Sequence, residues 1–365
     1  VKKKYPAITL GLVAALSLAA CGAAPDSSSS GGDAGDFLAC MVSDEGGFDD
    51  QSFNQSGKEG LDRAARELGV QTKAVESQSD ADYPTNVDSL IQQNCNLIIG
   101  VGFNLAAHLT AAAEENPDVE FALIDSRFTD ADGNVVELDN AKPLIFNTAE
   151  AAYLAGYAAA GTTKSGKVAT YGGMAIPTVQ IFMEGFAKGV AKYNEDNNAK
   201  VEVLGWDPSN PGSGSFIGNF SDTAAGKQLT EQFLSQGADI ILPVAGPVGS
   251  GTLAAVKEAG SDDNAIVWVD ADGYVTTESD GGSKYMLTSV LKGIDTAVYE
   301  AIEEASSGGF TSTPFIGTLA NDGVSIADYH DWSPKVPSEV QKQVEALKQQ
   351  IIDGELDVST PYDPS

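Results

Sequence analysis

"FLACMVSDEGGFDDQSFNQSGKEGLDRAARELG", residues 37–69, holds a strand, a loop and a helix in one run. Its first six residues are almost continuously apolar, with none of the alternation of a strand that faces water on one side. Leu61, Ala64, Ala65 and Leu68 then recur at the i, i+3, i+4, i+7 spacing of an amphipathic helix, and Gly69 closes it. A fully apolar strand feeding an amphipathic helix is the unit from which parallel sheets, covered on both faces, are built.

The same unit repeats along the chain. Apolar strand-like runs lie at 97–101, 121–125, 167–171, 201–206, 239–244 and 265–270. Helical patterns cover 86–94, 105–115, 149–161, 178–193, 222–236, 251–259, 292–306 and 337–352. The expected class is α/β with parallel sheets.

Upstream, Lys2, Lys3 and Lys4 precede an apolar run from Ala7 to Ala20, and Leu18-Ala19-Ala20-Cys21 follows. Residues 1–20 read as a signal peptide, since the run is too short for a membrane span. The last four residues resemble the lipobox of bacterial lipoproteins, which implies a lipid anchor on Cys21. Residues 22–36, "GAAPDSSSSGGDAGD", have no aliphatic side chain larger than alanine. The expected linker, 21–36, is therefore a flexible tether with a reach on the order of 20 Å, holding the domain near the cell membrane outside the cytoplasm.

About 330 residues remain, more than one hydrophobic core usually serves, so two lobes are expected. A formal charge of −31 and a pI near 4.1 speak against nucleic acid and against a basic membrane-binding face. Past Cys21 the chain has two cysteines, Cys40 and Cys95. In an oxidising compartment they are a candidate disulfide, with two buried thiols as the alternative. Cys40 lies in the first apolar strand and Cys95 just before the next, and such strands are commonly neighbours in a doubly wound sheet.

Ligands of open α/β sheets bind at the carboxyl ends of the strands. After the strand-like runs come "SDEGGFDD" (43–50), "GFN" (102–104), Asp125-Ser126, "GGM" (172–174), "WDPSNPG" (206–212), "AGPVGSG" (245–251) and "DADG" (270–273). Glycine, carboxylates, asparagine and aromatic rings suit a polar small molecule with a flat part. Catalytic and metal signatures fail against the same segments. The two histidines, His108 and His330, have no ligand-type neighbours in sequence, and neither a G-x-S-x-G elbow nor a G-x-x-x-x-G-K-[ST] phosphate loop occurs. Asp49-Asp50 suits a turn or a helix start better than acid–base chemistry. Neither an enzyme nor a cofactor is expected.

"VSDEGGFDDQSFNQSGKEGL" (42–61) resembles the opening motif of the basic membrane protein (BMP) family of substrate-binding lipoproteins. In the same order follow "YLAGYAA" (153–159), "GKVATYGGMAIPTVQIFMEGFAKG" (166–189), "FSDTAAGKQLTEQFLSQGADII" (220–241), "VDADGY" (269–274) and "LTSVLKGIDTAVYEAI" (287–302). The resemblance implies the type I periplasmic-binding-protein fold: two Rossmann-like lobes joined by three crossovers, placed near 146, 272 and 316. The N-terminal lobe would take 37–146 and 272–316, the C-terminal lobe 147–271 and 317–365. It further implies a monomer that carries a nucleoside, commonly a purine nucleoside, to the membrane subunits of an ABC importer.

Position by position, the resemblance implies that Phe53 stacks on the base and Asn54 bonds its edge, with Asp44 a weaker candidate there. Asp125 would accept a donor from the base. Asp270 and Lys292 would bind ribose hydroxyls, helped by the backbone of Gly246. Phe220 would be the second ring, with Trp206 its rival. Pro247 follows Gly246 where many members have another glycine, which removes one N–H. From residue types alone, Phe53 is equally a hydrophobic staple, Asn54 a helix cap, Phe220 a core residue, Asp125 and Asp270 turn residues, and Lys292 a helix start. A binding protein of the same fold for a sugar or another small polar signal molecule is the alternative.

Overall fold

The computed structural model describes residues 34–364. The signal peptide over 1–20, the anchor at Cys21 and most of the linker lie outside the described residues. The chain forms two six-stranded sheets with the same internal order. Strands β1 (Leu38–Val42), β2 (Gln71–Val75), β3 (Leu97–Val101), β4 (Glu120–Ile124) and β5 (Ala141–Phe146) build the first. Strands β6 (Lys167–Gly172), β7 (Glu202–Leu204), β8 (Ile240–Val244), β9 (Ala265–Asp270) and β10 (Met286–Lys292) build the second. Strand β11 (Phe315–Gly317) returns to the edge of the first sheet beside β5, and β12 (Val324–Ile326) to the edge of the second beside β10. All pairs are parallel except β10 with β12.

Helices cover the sheets: α1 (Phe53–Glu67), α2 (Tyr83–Gln92) and α3 (Ala106–Glu115) in the first lobe, then α4 (Thr148–Thr162), α5 (Pro177–Asn197), α6 (Thr223–Ser235), α7 (Gly249–Ala259) and the one-turn α8 (Gly273–Thr276) in the second. Helix α9 (Ile294–Ser306) packs on α1, so closely that a Cβ on Gly60 would lie 2.4 Å from the carbonyl oxygen of Asp295. Helix α10 (Ser338–Ile352) closes the second lobe against α4. Helix α4 is buried almost all round, as its uniformly apolar sequence dictates. It crosses α5 at backbone contact: a Cβ on Gly189 would sit 2.0 Å from the carbonyl oxygen of Tyr153.

The strand-like runs at the two sheet centres become strands, and their burial on both faces is what their unbroken apolar composition requires. Strands β2, β5 and β10 to β12 lacked that signature. "QTKAV" is a half-exposed edge, while β5 carries Lys142 and Pro143 inside its run, the lysine buried and paired with Glu304 of α9. The crossovers expected near 146 and 316 follow β5 and β11. That expected near 272 does not occur there: after β9 the one-turn α8 leads straight into β10, which pairs in parallel with β9 at Leu291 and Asp270. The chain leaves the second lobe only at Gly293, so 272–292 belongs with the C-terminal lobe. Lys292 accordingly ends a strand instead of starting a helix.

Cys40 of β1 and Cys95, two residues before β3, have Cα atoms 5.9 Å apart and form a disulfide. Strands β1 and β3 are indeed neighbours.

In each sheet the second strand lies on one side of the first and the third on the other, so the loops after β1 and β3, and after β6 and β8, diverge and leave a crevice. The two crevices face one another.

Candidate functional site

The cleft between the lobes holds about 620 Å³ including the solvent at its open mouth. Asp44, Phe53, Asn54, Asp125, Phe220, Gly246, Asp270 and Lys292 all line it.

The first wall is organised by Asp50. Its carboxylate accepts the backbone N–H groups of Ser52 (3.0 Å), Asn54 (2.8 Å) and Gln55 (3.0 Å) at the start of α1. Three donors that the helix cannot satisfy itself thus converge on one anion, in place of the serine capping boxes that the sequence allows. The same carboxylate accepts Nδ2 of Asn54 at 3.1 Å. The other hydrogen of that amide goes to Oδ1 of Asp44 at 2.7 Å, and its Oδ1 accepts the backbone N–H of Asp44 at 3.3 Å. Two carboxylates on one side fix which end of the amide is nitrogen. Asn54 is therefore spent on positioning the aspartates, and the group left facing the cleft is Asp44. Its Oδ1 also accepts Gly46 N–H at 2.9 Å. Oδ2 lies beside Gly102 and the edge of the Phe53 ring, where a Cβ on that glycine would be 3.0 Å from Oδ2 and 3.5 Å from Cε1 of Phe53. Burial pushes the Asp44 carboxyl upward against the bonds from Gly46 and Asn54, and pushes Asp50 up to about 6.

At the other end Lys292 Nζ is 2.8 Å from Asp125 Oδ2 and 3.3 Å from Asp270 Oδ1. Asp270 Oδ2 accepts Ser52 Oγ at 2.8 Å across the lobe boundary. The lysine side chain is 2% exposed, and its Nζ stands 4.9 Å from the ring centre of Phe182 and 5.3 Å from that of Phe53. Burial pulls its pKa down, but the two aspartates outweigh it and the net displacement is upward. Asp125 is pushed up to about 6 by burial, with Lys292 opposing.

Four phenylalanines give the cleft its flat apolar walls. Phe53 comes from the first lobe and Phe220 from the second; Phe103 and Phe182, which the sequence reading did not single out, join them. Phe103 meets Phe220 edge-on with ring centres 6.5 Å apart. "GFN" did mark Phe103 as a strand-end residue, whereas Phe182 sits within the apolar pattern of α5, where nothing distinguishes it from core. Trp206 is not in the cleft: it is buried, donates its indole N–H to Glu184 at 2.8 Å and packs on Phe216 and Tyr362. Gly246 opens a short turn with φ +50°, and its missing side chain leaves open space there.

Among the described residues no group of His, Cys, Asp and Glu is arranged to hold a metal ion, and no helix is long and apolar enough to cross a membrane. His108 packs on Tyr83; His330 stacks on Tyr274 and bonds Asp272, both away from the cleft residues.

The sequence model of the Bmp family, described as "ABC transporter substrate-binding protein PnrA-like", matches residues 37–361. A Lactococcus lactis protein named "ABC transporter nucleoside-binding protein BmpA" is 31% identical, covering 98% of this chain and 99% of its own. The "CD4+ T-cell-stimulating antigen" of Listeria innocua is also 31% identical with the same coverage. Among solved structures, an ABC transporter solute-binding protein from Aeropyrum pernix superposes with a TM-score of 0.76 at 28% identity, over 90% of this chain and 94% of that one. The family model, the Lactococcus lactis relative and the Aeropyrum pernix structure are each described as a binding protein of an ABC transporter.

Proposed function

The chain belongs to the Bmp family of PnrA-like ABC transporter substrate-binding proteins, and on that premise we propose that it is an extracytoplasmic lipoprotein, anchored through Cys21, that binds a purine nucleoside between its lobes and delivers it to the membrane subunits of an importer. The observation that carries the ligand class is the pairing of rings from opposite lobes, Phe53 and Phe220, over a cleft whose polar groups are mostly carboxylates.

A nucleoside matches this arrangement part by part. Its base has a flat face to stack, worth about 1–3 kcal/mol per ring, and an edge that needs partners once buried. Asp125 and Asp44 supply acceptors for that edge. Asp270, held by Ser52 and Lys292, accepts hydroxyl hydrogens of a ribose diol while the ammonium donates to their oxygens. The carboxylates oppose a phosphate, which favours the neutral nucleoside over a nucleotide. The name of the Lactococcus lactis relative supports the same class.

Calorimetry and thermal shift with guanosine, inosine, adenosine, cytidine, uridine and ribose test the reading. Purine nucleosides should bind, Phe53→Ala and Phe220→Ala should each weaken them by about 1–3 kcal/mol, and Asp270→Ala should abolish binding in a folded protein. Ribose binding as tightly as any nucleoside would point to a sugar receptor instead.

A further inference from the structure

We infer that Asp44 discriminates among purines through its own proton, taking bases that carry N1–H with its carboxylate ionised and adenine only with the carboxyl protonated. The inference rests on the proposed nucleoside reading. It begins from which atoms are free. Both hydrogens of the Asn54 amide are committed to Asp44 and Asp50, and Asp44 Oδ1 already accepts two donors. Asp44 Oδ2 accepts no hydrogen bond among the described residues and lies beside the edge of the Phe53 ring. A base stacked on Phe53 therefore presents its edge to one unspent carboxylate oxygen.

The base edges differ in what they offer. Guanine and hypoxanthine carry N1–H, a donor, which an ionised carboxylate accepts. Adenine has a lone pair at N1 and a donor only at N6. Against an ionised Asp44 that lone pair is an unpaired acceptor facing a negative charge. Against a protonated Asp44 it receives the carboxyl hydrogen from Oδ2. Adenosine binding then takes up one proton from solvent at any pH where the free carboxyl is ionised, and guanosine or inosine binding does not. The proton goes onto Oδ2, and no bond beyond hydrogen bonds forms.

Asp44 stands in surroundings that let it exist in both states. Glu45 is its neighbour in the chain, Asp50 faces it across the Asn54 amide, Asp80 and Tyr83 approach from the turn and helix behind β1, and Asp125, Asp270 and Lys292 line the cleft opposite. Burial opposes its ionisation, and Glu45 and Asp80 add to that, whereas Gly46 and Asn54 favour it. Asn54 cannot act as the discriminating group in its place, because turning its amide would set the oxygen against two carboxylates.

The test is calorimetry of guanosine, inosine, adenosine and 1-methylguanosine from pH 5.5 to 8, in buffers of different ionisation enthalpy. The expected result is a guanosine-to-adenosine affinity ratio that rises with pH by up to about tenfold per unit above the Asp44 pKa, with proton uptake for adenosine alone. 1-Methylguanosine, which has lost the N1 donor, should bind at least about tenfold more weakly than guanosine at pH 8. Asp44→Asn, whose amide N–H in place of Oδ2 can donate to N1 without a proton from solvent, should favour adenosine and make the ratio independent of pH. A ratio in the intact protein that does not change with pH, or a pH dependence that survives in a folded Asp44→Asn but vanishes in Asp125→Asn, overturns the inference while leaving the nucleoside reading intact. Binding of none of the nucleosides overturns both. The methylated ligand decides the matter on the unaltered protein should Asp44→Asn fail to fold.

Discussion

Asp125 and Asp270 are structural counterparts: one directly follows and the other ends the fourth strand of its lobe, each has a positive φ (+61° and +66°), and together they hold the ammonium of Lys292. Left-handed backbone is unfavourable for residues with a side chain and is least so for Asp and Asn. Each aspartate turns the chain sharply out of a buried strand and aims its carboxylate into the cleft. Among the described residues Lys292 is the one cation paired with both anions, and it links the lobes through Asp125 of one and Asp270 of the other.

Lys292→Met should therefore do more than remove a ligand contact. It leaves two buried carboxylates facing each other, and breaking a buried ionic group from one side destabilises by roughly 3–5 kcal/mol. Urea denaturation at pH 7 should show a loss of that order, shrinking near pH 5 as the freed carboxylates take up protons. Full stability retained at pH 7 would show that the ion cluster does not hold the lobes.

Stability of the ligand-free protein should fall as pH rises from 4 to 7. Asp50 and Asp125 are raised from 3.8 to about 6 in the folded chain. A carboxyl whose folded pKa lies above its unfolded one contributes stability that is fully present below about pH 4 and is lost as pH rises through 6. Each shift of this size corresponds to about 3 kcal/mol. Repulsion within a chain of net charge −31 acts in the same direction. Denaturant midpoints across this window should decline, and Asp125→Asn should flatten the decline; a rising profile that the substitution leaves unchanged would contradict it.

How much of this was legible in the sequence follows from what each residue does alone and what it does in company. The central strands announced themselves because burial on both faces needs an unbroken apolar run. Strands β10 and β12 did not, since β10 contains Thr288 and Ser289 and ends in Lys292, buried polar residues whose partners come from other segments. The exit from the second lobe was misplaced for the same reason: "VDADGY" looks like a departure from the sheet, and only the pairing of β10 with β9 shows that the chain returns. The cleft residues were legible as a set because the motif order marked them. Their division of labour was not, because the commitment of the Asn54 amide to two aspartates depends on distances that spacing does not contain. Asp50 was readable as a helix-start residue, though not that one carboxylate would gather three backbone donors.

Reduction of Cys40–Cys95 should weaken the first lobe without touching the ligand. The two cysteines are 55 residues apart, and closing a loop of that length removes denatured-state entropy worth about 4 kcal/mol in the chain-entropy model. Neither cysteine lines the cleft. Thiol titration of the denatured, unreduced protein should find no free thiol at these positions. With reductant the melting temperature should drop while nucleoside affinity at low temperature stays the same; an affinity that falls with reduction would show the bridge to be coupled to the cleft.

Asn54→Ala and Asn54→Asp separate a positioning role from direct contact with ligand. The amide gives one hydrogen to Asp44 and one to Asp50 and accepts from the backbone of Asp44, so it has no hydrogen left to donate to a ligand. Alanine removes the clamp, lets Asp44 swing and deprives two buried carboxylates of a donor, an unmet need of about 1–3 kcal/mol. The fold should survive, because the three backbone donors to Asp50 remain. All purine nucleosides should weaken, guanosine and inosine more than adenosine, since loss of the Asn54 donor leaves Asp44 more readily protonated. Aspartate is worse than alanine, as it sets a third carboxylate against the other two and offers no hydrogen unless it is protonated, so its binding should recover partly at low pH. If Asn54→Ala instead altered affinity for one base and spared the others, the amide would be in contact with the base edge, and the clamp would have to open when ligand binds.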